Sequence, residues 1–203
     1  MKKDTTPPQI NDQQDGDTTW RKTNDGTYNV DFSDTQSGSG IDYAQYKIVS
    51  STGGVIVDWY TFLNDSGYSY TDDWQISNTH FDLLPGGTNY ISVRVFDYAG
   101  SSDTVNNAFY ILKDTISPSI TNNVSGEDIW RVSSGTVYDV DFSDVLSKLD
   151  TAQYRVKSST GGVIVDWIDI SGIWKRHMDK QGNHADALLV LASLEIHMKA
   201  KNQ

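Results

Sequence analysis

The segment Ser50-Ser51-Thr52-Gly53-Gly54-Val55-Ile56-Val57-Asp58-Trp59 returns residue for residue as Ser158 to Trp167, 108 positions on. Ten identical residues at a fixed offset mark a tandem repeat, and a repeat constrains the fold more than any local pattern does. The match runs outward from this segment. Asp4-Thr5-Thr6-Pro7-Pro8 returns as Asp114-Thr115-Ile116-Ser117-Pro118, Trp20-Arg21 as Trp130-Arg131, and Asp31-Phe32-Ser33-Asp34 as Asp141-Phe142-Ser143-Asp144, all 110 positions on. Ala44-Gln45-Tyr46 returns as Ala152-Gln153-Tyr154 only 108 positions on, so the second copy has lost two residues from the loop that holds Ser37 to Gly40 in the first (110 − 108 = 2). Such a loss is cheap, because loop length changes stability slowly. The repeat predicts a complete unit over 1–113, a second unit over 114–167 truncated after its first half, and an unrelated tail over 168–203.

The internal pattern of the unit is that of strands. Tyr28, Val30 and Phe32 alternate with polar residues, as do Ala44, Tyr46 and Ile48, then Ile91, Val93 and Val95, while Val55, Val57 and Trp59 are expected on the inner face of the strand that returns after Ile48. Alternation of this kind gives half-buried strands, and Gly53-Gly54 between two of them predicts a hairpin. Leu63 to Ser77 reads as a long loop and Ala108 to Leu112 as the last strand. The acidic residues are 25 Asp and two Glu. Asp favours turns and Glu favours helices, so the bias agrees with many short strands joined by Asp-bearing turns. The expected architecture is all-β, a sandwich of about seven strands.

Asp4 to Pro8, Ile91 to Gly100 and the repeated Asp114 to Pro118 resemble the linker and turn motifs of bacterial Ig-like tandem repeats, related in architecture to fibronectin type III. The resemblance implies an Ig-like β-sandwich, carried in tandem by large secreted or surface proteins as stalks and adhesins, with neighbouring repeats as its partners. One departure sets it off from true fibronectin III: Asn89, not Tyr90, is in phase with Ile91, Val93 and Val95.

The tail differs in kind. Residues 168–203 carry five Lys/Arg and four Asp/Glu, a charge of +1, against −12 for residues 1–167. Ala187, Val190, Leu191, Leu194 and Met198 recur at helical spacing after Asn183, an N-cap residue type. The spacing predicts a helix over 185–199 laid on the open face of the truncated unit, and a shorter one over 173–180.

Two constellations could carry chemistry. Asp12, Asp15 and Asp17 crowd one turn; such oxygens either cap the turn or hold calcium, the cation that takes six to eight hard ligands. Tyr60, Tyr68, Tyr70 and Trp74 lie among Asp, Asn and Ser; flat rings beside polar groups either pack in a core or stack on sugars. Catalysis lacks its parts: the chain has no cysteine, no Gly-x-Ser-x-Gly elbow and no phosphate loop, and His80, His177, His184 and His197 are not at metal-ligand spacing. The net charge of −11 argues against nucleic acid and anionic membrane as partners. No secretory signal pattern stands at the start of the chain. The expected role is structural, a spacer or adhesive stalk at the cell surface or outside the cell and not an enzyme. The alternative is a carbohydrate-binding module, and another surface protein is the remaining partner class. No cofactor is expected beyond calcium.

Overall fold

The computed structural model describes residues 2–123 and 138–171, and the strands at 184–189 and 195–200. The chain divides into two compact units, Met1–Asp114 and Thr115–Asn202.

Unit one holds β1 (Gln9–Asp12), β2 (Trp20–Arg21), β3 (Val30–Ser33), β4 (Ile41–Ser50), β5 (Val55–Gly67), β6 (Ser69–Tyr70), α1 (Asn78–Leu83), β7 (Gly87–Asp97) and β8 (Ser102–Lys113). The strands form a three-stranded sheet ordered β1-β3-β6 and a five-stranded sheet ordered β2-β8-β7-β4-β5. The alternating apolar residues supply one core: Val30 and Phe32 from the first sheet, and Tyr46, Ile48, Ile91, Val93, Val95, Phe109 and Ile111 from the second, all buried. Each aliphatic or phenyl side chain so buried contributes about 1.5–3 kcal/mol. Asn89 is buried in phase with Ile91, and its amide donates to the carbonyls of Pro85 and Gly87, both at 3.1 Å.

Every strand pair of unit one is antiparallel except β2 with β8, where Trp20 faces Leu112 and Arg21 faces Lys113 in parallel. The pairing is extended at both ends, by Asp17 N donating to Tyr110 O at 2.8 Å and Asp114 N donating to Arg21 O at 3.0 Å. The segment near the start of the unit is thus bonded to its last strand.

The repeated segment folds the same way twice. In unit one Ser50 N donates to Gly54 O at 2.8 Å and Gly53 N to Ser50 O at 2.9 Å; in unit two Ser158 N donates to Gly162 O and Gly161 N to Ser158 O at the same two distances. Gly53 and Gly161 stand at φ of +85° and +86°, the left-handed region that glycine enters freely. The irregularity repeats too. Tyr46 faces Tyr60 while Ile48 faces Val57, so three residues of β5 span two of β4. In unit two Tyr154 faces Ile168 while Val156 faces Val165. This bulge breaks the alternation of β5. Trp59, which alternation alone places on the inner face, is therefore only half-buried and lies under the Arg94 guanidinium at 4.2 Å. Its twin Trp167 lies under Arg155 at 4.6 Å.

Two further expectations change. The long loop expected over 63–77 is shorter, because β5 runs on to Gly67 and β6 follows. A short helix, α1, follows Ser77, whose Oγ accepts from His80 N at 3.2 Å. Its last turn is satisfied by Lys113, whose Nζ donates to the carbonyls of Phe81 at 2.8 Å and Asp82 at 3.1 Å.

Unit two holds β9 (Ser119–Asn122), β10 (Tyr138–Ser143), β11 (Leu149–Lys157), β12 (Val163–Asp169), β13 (His184–Leu189) and β14 (Glu195–Ala200). They form two three-stranded sheets, β13-β10-β9 and β12-β11-β14. Val140, Phe142, Leu149, Ala152, Val156 and Ile170 are buried. Here the helix expected over 185–199 is corrected: residues 184–189 and 195–200 are strands, antiparallel to β10 and β11. The physical reason is the unpaired edge. A truncated sheet exposes N–H and C=O groups that a strand can pair and a helix cannot. β14 stands beside β11 as β7 stands beside β4, and β13 beside β10 as β6 beside β3. The helix expected over 173–180 lies outside the described residues.

With a complete strand set and its own core, residues 1–114 are expected to unfold cooperatively in urea as an isolated fragment. Phe32→Ala is expected to cost it about 3–5 kcal/mol. A broad melt without a transition, or a Phe32→Ala cost under about 1 kcal/mol, would contradict this core.

Candidate functional site

The turn bearing Asp12, Asp15 and Asp17 does not gather its carboxylates. Among the described residues the one group of three or more acidic or histidine side chains with ligand atoms mutually within 4.8 Å is elsewhere. Asp12 ends β1, and its Oδ1 accepts from Gln14 N at 3.0 Å. Burial pushes its carboxyl above the ordinary value; the Gln14 bond opposes this and Asp15 adds to it. Asp15 is exposed. Asp17 is buried, its Oδ1 accepts from Thr19 N at 3.0 Å, and its Oδ2 pairs with Arg21 Nε. The same guanidinium reaches Asp25 at 2.5 Å. Asp17 thus has a resident cation, an arginine that sits on β2 beside the parallel closure.

The aromatic cluster is divided by the core. Trp74 is buried; its backbone bridges Tyr28 in both directions, at 2.8 and 3.2 Å. Its ring stacks on Phe62 at 4.3 Å and on Tyr46 at 5.8 Å, so its faces are occupied and closed to a sugar. Tyr70 packs partly buried against Phe32. Tyr60 and Tyr68 remain exposed, at 43% and 44%. Tyr60 meets the His80 ring edge-on at 4.5 Å. The signal that assigned all four rings to one surface was their closeness in sequence, and the bulge and the Tyr28 bridge separate them.

The side chains that do converge are Asp4, Asp34 and Asp97, whose carboxylate oxygens lie within 4.8 Å of one another. Asp4 precedes β1, Asp34 follows β3 and Asp97 ends β7. Backbone N–H groups orient each of them. Asp4 accepts from Thr6 N at 3.0 Å and Ser39 N at 2.6 Å. Asp34 accepts from Thr35 N and Gly40 N, both at 2.7 Å. Asp97 Oδ1 accepts from Ser101 N at 2.7 Å. The Thr6 bond, followed by the Ser39 bond, holds the Asp4 carboxyl below its ordinary value. Close approach of the loop requires Gly40: at φ of +84°, a Cβ there would meet the Gly67 carbonyl at 2.9 Å. Asp97 is 2% exposed, and its Oδ2 is buried without a hydrogen-bond partner. Sequence reading missed this trio because its members are up to 93 residues apart (97 − 4 = 93) and lie in three separate turn motifs.

No protein-family model matches the chain, and no curated protein matches it.

Two substitutions separate these roles. Arg21→Ala strands the buried Asp17 carboxylate and is expected to cost at least about 1–3 kcal/mol, with no recovery on adding calcium. Tyr68→Ala is expected to change stability by no more than about 0.5 kcal/mol. Urea titrations of both variants check the pair; a neutral Arg21→Ala would show that Asp17 does not depend on it.

Proposed function

We propose that this chain is a segment of a tandem array of Ig-like β-sandwich repeats, a spacer or adhesive stalk of a bacterial cell-surface or secreted protein. Its partners are the neighbouring repeats of a longer chain. The observation that carries this reading is the repeated hairpin, identical in sequence and reproduced in hydrogen bonding and in its bulge. A part that spans distance gains length with each further copy of one scaffold.

The closure of unit one supports the mechanical role. Tension would enter before β1 and leave after β8. The segment 17–21 and β8 run parallel, so pulling the ends apart slides the two along each other and strains their bonds together. Antiparallel end strands would instead peel one bond at a time. A carbohydrate-binding role is the second reading, and the exposed rings of Tyr60 and Tyr68 are what favours it. No catalytic role is proposed.

Single-molecule stretching of the full chain tests the spacer reading. Unit one is expected to give a discrete unfolding event that releases roughly 350–400 Å of contour, the reach of about 110 extended residues. Smooth extension with no such event would remove the mechanical reading. Glycan-array binding lost on Tyr60→Ala and Tyr68→Ala together would favour the carbohydrate role instead.

A further inference from the structure

We propose that Asp4, Asp34 and Asp97 form a binding site for a hard divalent cation, calcium by its chemistry. A cluster of carboxylates alone is common on an acidic protein. Here a second feature points to a ligand. Asp97 is buried, and one of its two oxygens has no partner although the other is bonded to Ser101 N. A buried carboxylate oxygen without a donor is costly, because its lost hydration is not replaced. Carboxylates gathered this closely also repel one another. Among the described residues the ion pairs are Asp17–Arg21, Asp25–Arg21 and Asp58–Lys47, and none reaches the trio. A bound cation answers both problems at once.

The donors are oxygens only, which selects a hard ion over zinc or copper. Each ionised carboxylate has about four acceptor positions, so the backbone bonds that orient it leave others for a metal. Three carboxylates supply between three and six of the six to eight oxygens calcium takes, and water can complete the shell. Calcium accepts irregular geometry of this kind, whereas magnesium demands a near-ideal octahedron. The site would join three points far apart in sequence: the segment before β1, the start of the loop after β3 and the end of β7. It would thereby fasten the beginning of unit one to its body. Unit two keeps counterparts of Asp4 and Asp34 in Asp114 and Asp144.

The test uses the full chain, freed of metal with EDTA and then given calcium or magnesium. At a calcium concentration about a hundredfold above Kd the folded state is favoured by a further factor of about a hundred, which raises the melting temperature of unit one by roughly 10 °C. Terbium is expected to bind in calcium's place with luminescence sensitised through Tyr98 and Tyr68, neighbours of Asp97 and of the Asp34 loop. Asp97→Asn keeps an acceptor for Ser101 N and removes the charge. It is expected to abolish the calcium increment and the terbium signal, and to melt in EDTA no lower than the parent chain. Asp4→Asn, in the partly exposed segment before β1, is expected to abolish them likewise and decides the matter should Asp97→Asn fail to fold. No response to calcium in the parent chain overturns the site. So does a response that survives in both variants, and a magnesium response equal to calcium's overturns the choice of ion.

Discussion

The stacking of Trp74 on Phe62 and Tyr46 is the interaction on which unit one depends. It fills the gap between the two sheets with rings, and it draws in the elements around it. Tyr46 accepts from Ser77 N at 3.1 Å through its hydroxyl, which also bonds His80 Nδ1 at 2.7 Å. The core ring thereby anchors the start of α1. Tyr28, bridged to Trp74, stacks on Phe109 at 4.4 Å and carries the packing across to β8. Aromatic pairs add about 0.5–1.5 kcal/mol each beyond area burial, so a chain of them fixes the sheet spacing more firmly than aliphatic contact alone.

Phe62 reaches Trp74 only because β5 slips by one residue between Val57 and Tyr60. Before the slip Val57 points inward; after it Tyr60 and Phe62 face Tyr46. Trp59, left on the other face, packs under Arg94, which in turn donates to Gln45 Oε1 at 2.7 Å. The bulge thus serves both faces of the sheet. Its return in unit two makes it a property of the repeated segment, since the ten residues are the same in both copies.

Much of this was legible in the sequence, and what was not has identifiable causes. The tandem repeat, the hairpin, the inner strand of Ile91 to Val95 and the buried position of Asn89 all follow from offsets and period-two alternation. Alternation carries no mark of where a strand slips, so by itself it puts Trp59 on the wrong face. Trp74 could be read either way, as core or as a sugar-stacking ring, because its polar neighbours, Asp72 and Asp73, say nothing of a partner at Tyr28, far back in the chain. The tail spacing of Ala187 to Met198 fits a helix in isolation, yet residues 184–189 and 195–200 pair as strands; unpaired edges in the sheets of unit two outweigh local periodicity. The convergence of Asp4, Asp34 and Asp97 is tertiary, and no local pattern encodes it.

One scaffold is used twice, closed in unit one by its own β6 and β7 and in unit two by β13 and β14. Amide hydrogen exchange across the whole chain tests it most directly. Bonded strands exchange slowly and unbonded ones at the rate of free peptide. The expected result is protection in β13 and β14 that matches their partners β10 and β11 and is lost together with them as denaturant is raised. Free exchange throughout β13 and β14, beside protected β10 and β11, would contradict it.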